Sequence, residues 1–242
     1  MLVMFVGDSM TIGSAGEHTW RYRMWQHLNR ESGGPHRIVG PRSGLHDPSA
    51  DAGPDAGHTG DAAHAAGSQD YADPDFPQHA RRHLAGWGEG WLHMAPLIRE
   101  AVAGHRADLL LVSLGLIDLG FYSDAGQTAA DVRRFIAEAR EANPGIGMVL
   151  LPVIPNIRAL SDEPFAAECE RFNELLAKAV ADLDTPASPL LLASRPDGWH
   201  LDHDTYDGTH PNASGEHRLA AAFADAMHQA WDVGSPYAPA PK

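Results

Sequence analysis

One cysteine, Cys169, is present in 242 residues, which excludes an internal disulfide and any metal centre built on several thiolates. It lies in Glu168-Cys169-Glu170-Arg171-Phe172 on a helical pattern, where a thiol reads as a half-buried small hydrophobe. Basic residues are also scarce: 18 Lys and Arg stand against 32 Asp and Glu, for a net charge of −14. Such a field repels polyphosphate and anionic membrane surfaces, so nucleic acid is not an expected partner. No apolar run approaches the roughly 20 residues that a membrane span needs. Residues 1–6 carry neither the basic stretch nor the apolar core of a secretory leader. A soluble, cytoplasmic protein is expected. The chain length suits a single domain with a full core.

Apolar runs alternate with amphipathic stretches, the signature of an α/β fold around a parallel sheet. Residues 2–6 predict a first buried strand. Trp20, Met24 and Leu28 recur at i, i+4 and i+8 on one helical face, which ends near Ser32-Gly33-Gly34. Residues 37–39 predict a short strand, 109–112 and 148–151 strong ones, and 190–192 the last. Helices are expected over 91–103, 129–142 (stopped by Asn143-Pro144-Gly145), 164–183 and 212–231. Residues 41–83 break the rhythm, being rich in Gly, Pro, Asp, Ala and His with almost no apolar periodicity. A connection this long reads as a surface loop or lid on which little of the core depends. The spacings of its His46, His58, His64 and His79 match no compact metal-ligand pattern, so no metal is expected.

Two short motifs carry chemistry. The first strand runs into Gly7-Asp8-Ser9, at the C-terminal end of a parallel strand where α/β folds place their ligands. A serine there can offer its hydroxyl to the crevice and its backbone N–H to a developing oxyanion. About 200 residues on stands Asp207-Gly208-Thr209-His210-Pro211. Serine is a weak nucleophile and needs an adjacent base, which itself needs orienting. An aspartate three residues before a histidine can turn its carboxylate onto the imidazole. The other ring nitrogen is then free for the Ser9 proton. Gly208 permits the tight backbone, and Pro211 sets the entry to the last helix.

Gly7-Asp8-Ser9 with Asp207-x-x-His210 resembles the SGNH (GDSL-type) hydrolase superfamily, over nearly the whole chain. The resemblance implies a flavodoxin-like α/β/α sandwich with a central parallel sheet of about five strands, and cleavage of esters, thioesters or acetylated sugars, with acyl transfer in some members. It implies Ser9 as nucleophile and first oxyanion donor, His210 as base, Asp207 as its orienting partner, a small-molecule ester or acyl substrate, and no cofactor. The family's second oxyanion donor is a glycine ahead of a helix. Gly88 is the favoured match, with Gly86 and Gly90 as alternatives. The family's Gly-x-Asn-Asp block reads Gly115-Leu116-Ile117-Asp118 here, so Ile117 replaces a donor asparagine. Asn156 is a candidate to fill that gap. Asp8 and Asp118 are expected to hold turns, and His200 and His203 to be loop residues. Trp87, Trp91 and Trp199 suit either an apolar pocket wall or the core. The expected activity is a serine esterase working through an acyl-enzyme. The alternatives are an acyltransferase and, given Ile117, a catalytically weak binding protein of the same fold.

Overall fold

The computed structural model describes residues 1–30, 36–49 and 67–239. Strands β1 (Leu2–Gly7), β2 (Arg37–Ile38), β3 (Leu84–Ala85), β4 (Leu109–Ser113), β5 (Gly147–Leu151) and β6 (Leu190–Leu192) form one sheet in the order β2-β1-β4-β5-β6. All pairs are parallel, and β3 pairs with the end of β1 at Val6 and Gly7. With β3 set aside, the order is that of the flavodoxin-like doubly wound sheet.

Both faces of the sheet are covered, so its strands are apolar throughout. Side chains alternate between faces: Met4, Val6, Leu110, Val112, Met148 and Leu150 point one way, and Val3, Phe5, Leu109, Leu111, Val149 and Leu151 the other. The first set packs under α3 (Trp91–Met94), α4 (Ile98–His105), α5 (Ala125–Ala142) and α6 (Glu163–Leu183). The second packs under α2 (Trp20–Arg30) and α8 (Ala213–Trp231), where Trp20 stacks on Phe223 with ring centroids 4.7 Å apart. Two further one-turn helices, α1 (Ser9–Ile12) and α7 (Leu201–Asp204), follow β1 and precede α8.

Three expectations need correction. The helix predicted over 91–103 is two helices, α3 and α4, because Pro96 brings no N–H donor and restricts the residue before it. The 41–83 stretch is not peripheral at its ends. Leu45, Tyr71, Phe76 and Ala80 are buried in the core under α2. Leu45 and Ser68 exchange backbone hydrogen bonds, and Gly67 lies against the backbone of Gly44. His83 is fully buried: Nδ1 accepts from the Ala85 N–H, and Nε2 lies 2.9 Å from the Gly44 carbonyl. Burial holds this imidazole well below its ordinary pKa, so the ring is neutral. Arg21 is likewise fully buried. Its guanidinium donates to the carbonyls of Thr11, Ile12 and Arg81 and to the Tyr71 hydroxyl, joining α1 to the returning loop. His58 and His64 lie outside the described residues, as do 50–66 as a whole. Cys169 is fully rather than half buried, and burial pushes its thiol up to about 11. No helix among the described residues is long and apolar enough to cross a membrane.

Candidate active site

The site opens at the C-terminal edge of the sheet, where β1, β4 and β5 each hand over to a loop or one-turn helix. Asp8 caps α1, its carboxylate accepting from the Met10 N–H at 3.0 Å, and this turn projects Ser9 outward. The loop between α7 and α8 brings in the partners. His210 Nε2 lies 2.9 Å from Ser9 Oγ, and its Nδ1 lies 2.7 Å from Asp207 Oδ2. The other Asp207 oxygen accepts the N–H groups of Thr209 and His210, so the carboxylate folds its own loop and orients the ring together. Desolvation works against ionisation of Asp207, but the imidazole and these two N–H donors outweigh it and hold its pKa below the ordinary value. Gly208 adopts φ +82° and its Cα faces Ile157 closely enough that a Cβ there would sit 2.6 Å from the Ile157 Cβ. The structure thus brings together Ser9, Asp207 and His210, whose motifs are about 200 residues apart in sequence.

Of the three glycines, Gly86 donates its N–H to the Gly7 carbonyl and Gly90 donates to His93 Nδ1. Gly88 lines the cleft beside Ser9, and its N–H enters none of the hydrogen bonds among the described residues. Its φ of +73° is a left-handed conformation that favours glycine. Ile117 is half-buried and also lines the cleft, directly before the wide helical turn Asp118–Tyr122. Asn156 lines it too, but is engaged: Oδ1 accepts from the Arg158 N–H and Nδ2 donates to Thr209 Oγ1, pinning the His210 loop.

Around these residues the cleft of about 290 Å³ is walled by Trp87, Leu116, Phe121 and Phe165, with Arg158 the cation among its lining residues. Arg158 pairs with Asp162 and donates to the Gly120 carbonyl. Sequence reasoning overlooked Leu116, Phe121, Arg158, Phe165 and Thr209. The signal available was their position in the segments that follow β4 and β5, in the first turn of α6, or within the Asp207–His210 loop. Trp87 alone of the three tryptophans lines the cleft. Trp91 is fully buried edge-on to Phe135, and Trp199 packs on the α8 side of the core. His200 is exposed and His203 contacts Asp204, so neither joins the site. Asp118 is buried, where it caps α3 by accepting the N–H groups of Trp91 and Leu92.

Asp8 is a buried carboxylate whose pKa is pushed up to about 7, by burial first and by the neighbouring Asp118 charge, against the Met10 N–H. The folded state therefore binds this proton more tightly than the unfolded chain. Stability from it is full below about pH 4 and is lost as pH rises through about 7. Asp8→Asn keeps an oxygen for the Met10 N–H and removes the charge. It is expected to raise the Tm relative to wild type by several degrees at pH 8.5 and by little at pH 5. Equal differences at both pH values in calorimetry would contradict this assignment.

Residues 5–218 match the family described as GDSL-like Lipase/Acylhydrolase family. The chain belongs to this family and is an ester-hydrolysing enzyme. No curated protein matches the sequence. Among solved structures, an acetyl esterase mutant with an acetate ion is 22% identical with a TM-score of 0.70, over 95% of this chain and 97% of that one. A carbohydrate esterase family 3 protein from Talaromyces cellulolyticus is 22% identical with a TM-score of 0.71, over 97% and 100% of the two chains. A family 3 carbohydrate esterase from Clostridium thermocellum is 17% identical with a TM-score of 0.68, over 95% and 96%.

Proposed function

We propose that the chain hydrolyses short-acyl esters through an acyl-enzyme on Ser9. The observation that carries this is the continuous hydrogen-bonded line from Ser9 Oγ through the His210 ring to Asp207, at 2.9 and 2.7 Å. In the proposed reaction His210 Nε2 takes the Ser9 proton as Oγ bonds to the ester carbonyl carbon. The oxyanion accepts from the N–H groups of Ser9 and Gly88. The carbonyl carbon then loses its bond to the alcohol, which leaves with the proton from His210. Water, giving a proton to His210, attacks the acyl carbon, and the Ser9–acyl bond breaks as Oγ regains that proton. Asp207 keeps the hydrogen on Nδ1 and offsets the imidazolium charge throughout. An active-site fluorophosphonate is expected to label Ser9, read by peptide mass spectrometry. Labelling elsewhere, or none with active protein, would sink the mechanism.

The short-acyl preference follows from space. The cleft of about 290 Å³ must hold both halves of the ester, and ligand pockets commonly run from about 300 to 1,000 Å³. The separate cavity behind Asp8 and Met10 has only about 10 Å³, too little to house an acyl chain. An acetyl esterase among the similar folds supports this reading. On p-nitrophenyl esters, kcat/KM for acetate or butyrate is expected to exceed that for dodecanoate by at least about tenfold, on the scale of a few poorly housed methylenes. A preference for dodecanoate would overturn it.

A further inference from the structure

We propose that Trp87 is a positioning residue for His210: its indole face holds the imidazole in plane and stabilises the imidazolium formed in the reaction. This rests on the triad reading above. The two rings stack at 4.7 Å between centroids with their planes 17° apart. Trp87 is itself stacked on His46, at 4.0 Å and 16°, and Tyr206 lies along His210 at 5.7 Å and 18°. The successive near-parallel pairs His46, Trp87, His210 and Tyr206 form a row of rings.

The row is anchored at its base by the backbone. The His46 N–H donates to the Gly13 carbonyl, and the Ala15 N–H donates to the His46 carbonyl, which ties His46 to the chain leaving α1 and hence to Ser9. Trp87 stands in the turn that also carries Gly88, and that turn is held to β1 by the Gly86 N–H on the Gly7 carbonyl and to residue 42 by the Arg42–Glu89 pair. One rigid turn therefore presents an oxyanion donor and the ring that faces the base.

Two physical effects follow. His210 must bond Asp207 through Nδ1 and Ser9 through Nε2 at once, which fixes one ring plane, and a flat neighbour restricts rotation out of it. When the Ser9 proton arrives, the ring becomes a cation against the negative face of an indole, the best of the aromatic partners for a cation. The charged and titratable groups around His210 are Asp207 on its own loop, Glu17 and Tyr206 beside it, His46 beyond Trp87, and Asp8 and Arg158 in the cleft lining. None of these is altered by changing Trp87.

The test compares Trp87→Phe and Trp87→Leu with wild type. In a Ser9→Ala background, the His210 ring is titrated by NMR, its resonance assigned by loss in a His210→Gln variant. The His210 pKa is expected to fall from Trp to Phe to Leu, with Leu lower by about half a unit to one unit. With Ser9 intact, the acidic limb of kcat/KM should move in parallel. The Leu variant should lose about five- to twentyfold in kcat, with KM within about threefold and Phe in between. An unchanged His210 pKa in folded Trp87→Leu overturns the proposal, as does a raised KM with kcat intact, which would make Trp87 a substrate wall. Failure of the triad reading registers separately, as activity surviving Ser9→Ala, and leaves the NMR titration readable.

Discussion

Ser9→Ala and His210→Ala are each expected to lower kcat on p-nitrophenyl acetate by about 10³-fold or more while leaving the Tm within a few degrees. Members of a triad act as a unit, so losing one removes most of what the set provides. The fold is expected to survive because Ser9 Oγ bonds only His210 among the described residues. The Asp207–loop hydrogen bonds use backbone N–H groups that His210→Ala retains. Asp207→Asn adds a sharper test. Its oxygen can keep the two N–H bonds now made by Oδ1, which turns its NH₂ toward His210 Nδ1. That nitrogen must then accept, so the ring hydrogen moves to Nε2 and points at Ser9 Oγ. A loss of about 10²-fold or more without unfolding is expected, and wild-type turnover in Ser9→Ala would disprove the assignment of all three residues.

Ile117→Asn is expected to act in the opposite direction, raising kcat on simple esters by up to roughly 10²-fold, the scale of one oxyanion donor. Ile117 lines the cleft with Ser9 and Gly88, and Asn156 is committed to Thr209 and Arg158. In the proposed mechanism the wild-type oxyanion is thus left to the backbone N–H groups of Ser9 and Gly88. The opposing effect is packing. Ile117 is half-buried at an apolar wall with Leu116, and a buried amide lacking a partner costs about 1–3 kcal/mol. The variant is therefore expected to melt lower even where it turns over faster. Ile117→Ala opens the same space without a donor. Equal kcat in the Asn and Ala variants would show that Ile117 shapes the cleft rather than standing in for a donor.

What could be read in the sequence was what is local or periodic. The buried runs at β1, β4 and β5 are apolar on both faces, so they stand out. Gly7-Asp8-Ser9 and Asp207-Gly208-Thr209-His210 each close within one turn, so each motif could be read whole. What escaped was non-local. A two-residue strand such as Leu84–Ala85 exists only because β1 offers it an edge. Leu45, Tyr71 and Phe76 enter the core singly, from irregular backbone, and leave no period to detect. Buried His83 and Arg21 look like surface residues until the carbonyls that satisfy them are in place. That the Gly86 and Gly90 N–H groups are already committed to Gly7 and His93 likewise depends on the fold, not on the local sequence.

Arg21 also governs how this scaffold can be re-engineered. Its guanidinium is a buried charge whose partners straddle two separate stretches: the end of α1, which starts at Ser9, and the chain around Tyr71 and Arg81. The stretch that carries Tyr71 and Arg81 is therefore not an interchangeable cassette. A graft from another hydrolase that omits the Arg81 carbonyl or the Tyr71 hydroxyl would strand a cation in the interior next to Ser9's own helix. Specificity swaps in this scaffold must move Arg21 and its loop as one inherited unit.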